Sequence, residues 1–148
     1  MSSPKRLPYE TTLLVRDCCL CLHVQRAARA LARRFDEVLR PFELTNGQFS
    51  LLMSLNRPEP PPMGPVASLL AMDRTTLTAA LKPLERRGLV KVSSDPSDRR
   101  SHILKLTAKG SNLLARAVPV WKLMHDEVER LIPDRNPDEL RRNLRALS

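Results

Sequence analysis

Residues 69–110 read LLAMDRTTLTAALKPLERRGLVKVSSDPSDRRSHILKLTAKG, and the reading of this stretch decides that of the whole chain. Leu77, Leu81 and Leu84 recur at spacings of four and three, which places them on one stripe of a helix. Asp73 stands where that helix begins, and its carboxylate suits the free N–H groups of a first turn. Gly88 stands where it ends, as glycine does just beyond a helix C-terminus. Away from the leucines lie Arg74, Thr75, Thr78, Ala79 and Lys82, with Thr76 beside Arg74 at the helix start. These residues are short or basic. A helix entering the major groove needs little bulk on that face, and Arg, Lys and Thr bond base edges and phosphates. A threonine-rich face taken alone is more often simply solvated, so the argument rests on what surrounds it. Residues 63–70, with Pro65 in the first turn, supply a supporting helix. Pro83 removes one main-chain hydrogen bond, to Ala79, and predicts a local bend.

After Gly88 the period changes. Leu89, Val90 and Val92 lead into SSDPSDRRS, and Ile103, Leu104 and Leu106 follow. Two short apolar runs around a Ser/Asp/Pro cluster read as a hairpin. Its tip carries Asp98, Arg99 and Arg100, and two adjacent arginines are more than a turn requires. Arginine at such a tip suits a narrow minor groove, whose negative potential attracts it.

The segments DRTTLTAALKPLERRGLV and DPSDRRSHILKLTAKG together resemble the winged helix–turn–helix of the MarR family of bacterial transcription regulators. The recognition-helix pattern, the D-x-x-D-R-R wing and the L-T-x-K-G that opens the next helix are all present, and the likeness covers nearly the whole chain. It implies a dimer made by the N- and C-terminal helices and a pseudo-palindromic double-stranded operator. It also implies release of DNA when a small phenolic or aromatic acid, a xenobiotic or an oxidant binds. Lying opposite the leucine stripe, Thr75, Thr78 and Lys82 are expected to face the groove, with Arg74 and Thr76 near phosphates at the helix start. In the wing, Arg100 with Arg99 enters the minor groove while Asp98 orients the pair.

The chain has 148 residues, enough for one domain with a modest core. Apolar residues make up 42% and aromatics only 3%, so the core is expected to be Leu, Val and Ala. The net charge is +9, which favours an acidic partner, most simply nucleic acid. Residues 73–110 hold nine Lys/Arg against four Asp/Glu, concentrating more than half of that charge on the proposed reading head. No apolar run approaches the roughly 20 residues that span a bilayer. The start, MSSPKRLPYE, lacks the apolar core of a signal peptide. Cysteines at 18, 19 and 21 do not suggest a secreted disulfide framework. The expected location is therefore the cytoplasm, with no membrane partner.

Residues 1–9 read as a short, loosely held arm. Leu14, Cys18, Cys21, Val24, Ala28, Leu31, Phe35, Val38 and Phe42 then predict one long amphipathic helix ending near Arg40-Pro41. Arg26, Arg29, Arg33 and Arg34 lie off this stripe as a solvated basic face. Thr45 and Gln48 fit a capping box, and Leu44 with Phe49 a hydrophobic staple, for a helix stopping before Pro58. PEPPP at 58–62 reads as a stiff spacer. Thr107 begins a helix through Leu113, Trp121 and Leu131 that Pro119 should kink. Pro133 and Pro137 bracket the entry to a final helix with Leu140, Leu144 and Leu147. The first long helix and the last two carry more apolar surface than a small head covers, and a two-fold dimer is the usual solution.

Catalytic chemistry finds no support. There are four glycines and no phosphate loop, and His23, His102 and His125 show no metal-binding spacing. Cys19-x-Cys21 is too tight for a usual zinc pair. No enzyme, cofactor or metal is expected. Cys18 and Cys21 lie on the apolar stripe and read as buried small hydrophobes. A sharper reading comes from the resemblance: some family members sense organic peroxides through a cysteine near the start of the first helix, a position matched by Cys21. Those sensors place tyrosines beside the thiol, and here Gln25 and Phe35 occupy the matching positions.

The expected molecule is mainly α with a small β-wing. Residues 1–43 hold the arm and first dimerisation helix, 44–110 the winged helix–turn–helix, and 111–148 the C-terminal dimerisation helices. The expected function is a ligand- or oxidant-responsive repressor. An architectural DNA binder without an effector is the alternative, and titrating effector against bound operator separates the two.

Overall fold

A computed structural model describes residues 5–134 and 136–148. The chain divides into two compact units, Met1–Arg34 and Phe35–Ser148. The first holds α1 (Tyr9–Cys18) and most of α2 (Leu20–Leu39). One long helix was expected here, and the structure breaks it at Cys19, whose backbone is extended (φ −69°, ψ 109°). The break satisfies itself locally. The Cys19 sulfur accepts from the Leu22 N–H at 3.5 Å, and the Cys19 carbonyl accepts from the His23 N–H at 3.1 Å. A thiol thus serves where a hydroxyl or carboxylate usually caps a first turn. The apolar spacing runs on across the break, which is why periodicity did not report it.

The second unit is built on a three-element head. After a 3-10 turn (Arg40–Phe42) come α3 (Asn46–Ser54), α4 (Met63–Leu69) and α5 (Arg74–Arg86). The strands β1 (Val90–Asp95) and β2 (Asp98–Leu106) follow, then α6 (Ala108–Glu129) and α7 (Pro137–Ala146). The Thr45/Gln48 capping box forms as expected, and Leu44 and Phe49 are both buried in the common core. Pro83 and Pro119 sit inside helices that continue past them.

One core joins the parts. It takes Leu51 and Leu52 from α3, Val66 from α4, Leu77 and Leu84 from α5, Leu104 from β2 and Ala117 from α6, each at most 1% exposed. Three of the chain's five Phe, Tyr and Trp rings gather at its edge. Trp121 stacks on Phe35 and Phe49 at centroid separations of 6.2 and 5.9 Å, and on the His125 imidazole at 4.7 Å. Such contacts add to simple area burial.

The two strands pair antiparallel, with Val90 opposite Leu106 and Val92 opposite Leu104 on the core-facing side. The proline run does more than space two helices. The Leu104 N–H donates to the Pro61 carbonyl at 2.9 Å, and Pro62 bridges to Ile103. The spacer therefore lies along the outer edge of β2.

The end of α5 is fixed by several contacts at once. Gly88 takes a left-handed φ of 72°. Its N–H donates to Glu85 O at 2.9 Å, and the Leu89 N–H to Leu84 O at 3.0 Å, the double bond of a Schellman ending. The LTAKG stretch then closes over this turn. The Thr107 hydroxyl lies 2.7 Å from Gly88 O and 3.0 Å from Leu89 O, and accepts the Gly110 N–H that starts α6. Lys109 Nζ donates to Arg87 O at 2.8 Å. Gly110 packs so closely on the Leu89 carbonyl and the Leu106 side chain that no Cβ fits.

Gly110→Ala therefore opposes two effects. Helix propensity alone would stabilise the variant by up to about 1 kcal/mol. The clash with main chain at Leu89 costs about 1–3 kcal/mol or more and should dominate. Urea unfolding is expected to show a clear net loss of stability, whereas Ser111→Ala at the exposed next position should leave the midpoint nearly unchanged.

Candidate nucleic-acid interface

The helix α5 is positioned by its buried side. Leu77, Leu81 and Leu84 are 0%, 3% and 0% exposed, as their spacing implied. Arg74, Thr75, Thr76, Thr78, Ala79 and Lys82 are all exposed, so the structure gathers the helix candidates on open surface. Asp73 caps the helix, accepting the Thr76 N–H at 2.7 Å. That bond, followed by the Thr76 hydroxyl, holds the Asp73 carboxyl below its ordinary range.

Thr78 is more constrained than its sequence suggested. Its hydroxyl donates to Arg74 O at 2.7 Å, one helical turn back. The single hydroxyl proton is thereby committed, leaving an oxygen acceptor and a methyl group for any base edge.

In the wing, Asp98, Arg99 and Arg100 are exposed together. Asp98 was expected to orient the two arginines, and it acts through the backbone: its Oδ1 accepts the Arg100 N–H at 2.9 Å. Asp95 does the same for the turn, accepting the Ser97 hydroxyl at 2.7 Å and the Ser97 N–H at 2.9 Å. Those two bonds, the hydroxyl first, hold the Asp95 carboxyl below its ordinary range. Two carboxylates thus stiffen the tip from within, as Asx turns do. Among the described residues neither Arg99 nor Arg100 enters an ion pair. Both guanidinium groups keep their donors for a partner.

Sequence reasoning missed Lys91 and Lys105. The register sets them directly opposite one another, and both are exposed. Like charges in that relation repel, and a phosphate between them would relieve the repulsion. Only the strand register, not the alternation of either strand, brings the two together.

The cysteines depart from expectation. Cys18 and Cys21 are exposed rather than buried. Cys21 Sγ accepts from the Gln25 amide at 3.0 Å, and Gln25 Oε1 from Arg29 at 3.2 Å. An amide thus stands where peroxide sensors of the resembled family place a phenol. Among the described residues no group of three His, Cys, Asp or Glu side chains is placed to hold a metal, and no helix is long and apolar enough to cross a membrane.

Comparison with known proteins agrees with this geometry. The profile of the MarR family matches residues 44–102. The Mycobacterium tuberculosis transcriptional regulator MosR, solved in complex with DNA, is 38% identical and superposes with a TM-score of 0.80, covering 88% of this chain and 93% of that one. The transcriptional repressor CouR, bound to a 23-mer DNA duplex, is 34% identical with a TM-score of 0.78, covering 90% and 94%. The transcriptional regulator TtmR of Methylorubrum extorquens is 37% identical over 97 residues, 66% of this chain. The chain spans only 50% of that relative's length.

The helix cap carries an acid-dependent prediction. Because folding favours the Asp73 carboxylate, its stabilisation is complete above the ordinary value of 3.8 and is lost as pH falls through the lower folded value. Asp73→Asn retains an acceptor without the charge. Its urea midpoint should converge on that of the wild type as pH falls through the lowered folded-state value of Asp73, with the difference confined to higher pH.

Proposed function

The chain belongs to the MarR family of transcription regulators, and from that premise we propose that it is a ligand- or oxidant-responsive repressor holding a pseudo-palindromic operator as a homodimer. It is a DNA-binding regulator with a winged helix–turn–helix, not an enzyme. The observation that carries the proposal is the exposed face of α5, set opposite three buried leucines, together with a wing tip whose two arginines form no ion pair among the described residues.

In this reading Thr75, Thr78 and Lys82 face the major groove, while Arg74 and Thr76 hold phosphates at the helix start. Lys82 reaches guanine O6 or N7, and Thr78 meets a thymine methyl or accepts from a base amine. Arg100, with Arg99, enters the minor groove from a tip that Asp98 fixes. Residues 44–110 form the reading unit, and residues 1–43 and 111–148 supply the dimer. Support for the dimer is exposed apolar surface. In the first unit Leu14 is 61% and Leu20 66% exposed, and toward the C-terminus Leu123 is 70% and Leu147 62% exposed. A second copy covering these groups would remove their apolar area from water.

Effector response has its own support. An apolar cleft of about 480 Å³ lies among Phe49, Met53, Leu70, Val118 and Trp121, with Lys122 among its lining residues. Its size and single cation suit a small aromatic or phenolic acid. Cys21 is the candidate for oxidant sensing, exposed and bonded to Gln25. The site of action is the cytoplasm.

Two experiments test this reading. In a titration against selected operator at fixed salt, Arg100→Ala should weaken binding by about 1–3 kcal/mol for all half-sites. Thr78→Val, tested alongside, should alter preference at one position of each half-site, and unchanged affinity and preference in both variants would refute the assigned contacts. In light scattering, the chain at micromolar concentration should have twice the monomer mass, and a stable folded monomer would count against the dimer.

A further inference from the structure

The helix α5 ends in two adjacent arginines, Arg86 and Arg87, and the structure uses them differently. Arg86 is exposed, and its Nε donates to Lys82 O at 3.4 Å within the helix. Arg87 is half-buried and turns back on the chain. Its Nη1 donates to Glu43 O at 2.6 Å and its Nη2 to Phe42 O at 3.3 Å. These carbonyls end the 3-10 turn that follows α2, and among the described residues no main-chain N–H bonds either of them. A helix end leaves such carbonyls without partners, and a planar guanidinium fork suits two of them at once. Glu43 itself has a left-handed φ of 53°, a conformation that a non-glycine residue keeps only where its surroundings enforce it. Other bonds from this turn of α5 run forward in the chain. Glu85 Oε2 accepts the Val92 N–H of β1 at 3.2 Å, and Arg87 O accepts Lys109 Nζ at 2.8 Å. Among these bonds the Arg87 side chain alone reaches back, to residues 44 and 45 positions earlier. The end of α2 is in turn fixed to α3, where Asp36 Oδ1 accepts the Asn46 N–H at 2.7 Å and Asn46 Nδ2 at 2.8 Å.

We propose that Arg87 is a positioning residue for DNA recognition. Its guanidinium locks the end of α5 to the end of α2, and that lock sets the angle at which the exposed face of α5 meets a duplex. Base-edge hydrogen bonds depend steeply on distance and direction, whereas attraction to phosphates does not. A helix freed at this end therefore keeps its hold on any DNA and loses its preference for one sequence. Arg87 acts through α5 rather than by contact, since two of its nitrogens are committed to the Phe42 and Glu43 carbonyls. Lysine is a poor substitute, because a single ammonium lacks the fixed fork that spans both oxygens. The proposal rests on the reading of α5 as the DNA-contacting helix.

The test compares the full chain and its variants on two duplexes of equal length and composition, one selected by the protein from a random pool and one scrambled. Arg87→Ala should lower the ratio of selected to scrambled affinity about tenfold, with the scrambled affinity unchanged and the protein fully folded by circular dichroism. Arg87→Lys should recover part of the ratio. Arg86→Ala removes the same charge one residue away and should leave the ratio at the wild-type value. Without DNA, amide exchange in Arg87→Ala should quicken together at Glu43 and Gly88, whose N–H groups close the 3-10 turn and the end of α5, and stay unchanged in α7. An unchanged ratio would overturn the proposal. Equal losses on both duplexes would overturn it too: with a flatter salt dependence they would make Arg87 a phosphate contact, and without one a merely stabilising residue. An equal fall of the ratio in Arg86→Ala would assign the effect to charge and overturn it likewise. A wild type that distinguishes no duplexes would overturn the reading of α5 instead, and the lock would then stand or fall on the exchange at Glu43 and Gly88.

Discussion

The approach of Gly110 to the Leu89 carbonyl fixes how α5 stands against the wing. A helix held only along its buried stripe can still slide or rotate slightly in its groove. Here the last turn of α5 is tied at several points: the Schellman bonds at Gly88 and Leu89, the Thr107 hydroxyl near both carbonyls, and the Lys109 ammonium on Arg87 O. The glycine leaves no room for a Cβ against the Leu89 carbonyl and the Leu106 side chain, so this junction is close-packed. The strand β1 leaves immediately after this junction, so helix and wing diverge from one rigid corner.

That corner also explains the polarity of the head. The N-terminal half of α5 and the wing tip are free, exposed and rich in unpaired donors. The last turn is held by the residues that follow it, while Lys82, Glu85 and Arg86 remain exposed. The exposed face is thus held from the opposite end of the helix. Thr107 and Lys109 are polar, yet the Thr107 hydroxyl faces the Gly88 and Leu89 carbonyls and Lys109 donates to Arg87 O within the junction.

Much of this was legible in the chain itself. The leucine stripe, the Asp73 cap, the Thr45/Gln48 box and the two-strand wing followed from local spacing and capping chemistry, which depend on near neighbours alone. Features set by non-local geometry were not legible. The pairing of Lys91 with Lys105 needs the register, and the role of Gly110 needs a carbonyl twenty-one residues earlier in the chain. The break at Cys19 was hidden for another reason: a one-residue excursion in ψ preserves the periodicity on both sides. Thr78 was identified as an exposed candidate, but its lost donor depends on a rotamer choice that sequence does not record.

The proline run along β2 has a consequence for how the molecule behaves in a crowd. A two-stranded hairpin leaves open main-chain edges, and an open edge is a template for recruiting strands from other molecules. Pro61 and Pro62 lie beside β2 and offer carbonyls but no N–H groups. A strand arriving from outside would find no donors on these two residues. The same residues that set the distance between two helices therefore act as a chain terminator for sheet growth, and they protect the hairpin whether or not it is engaged on DNA.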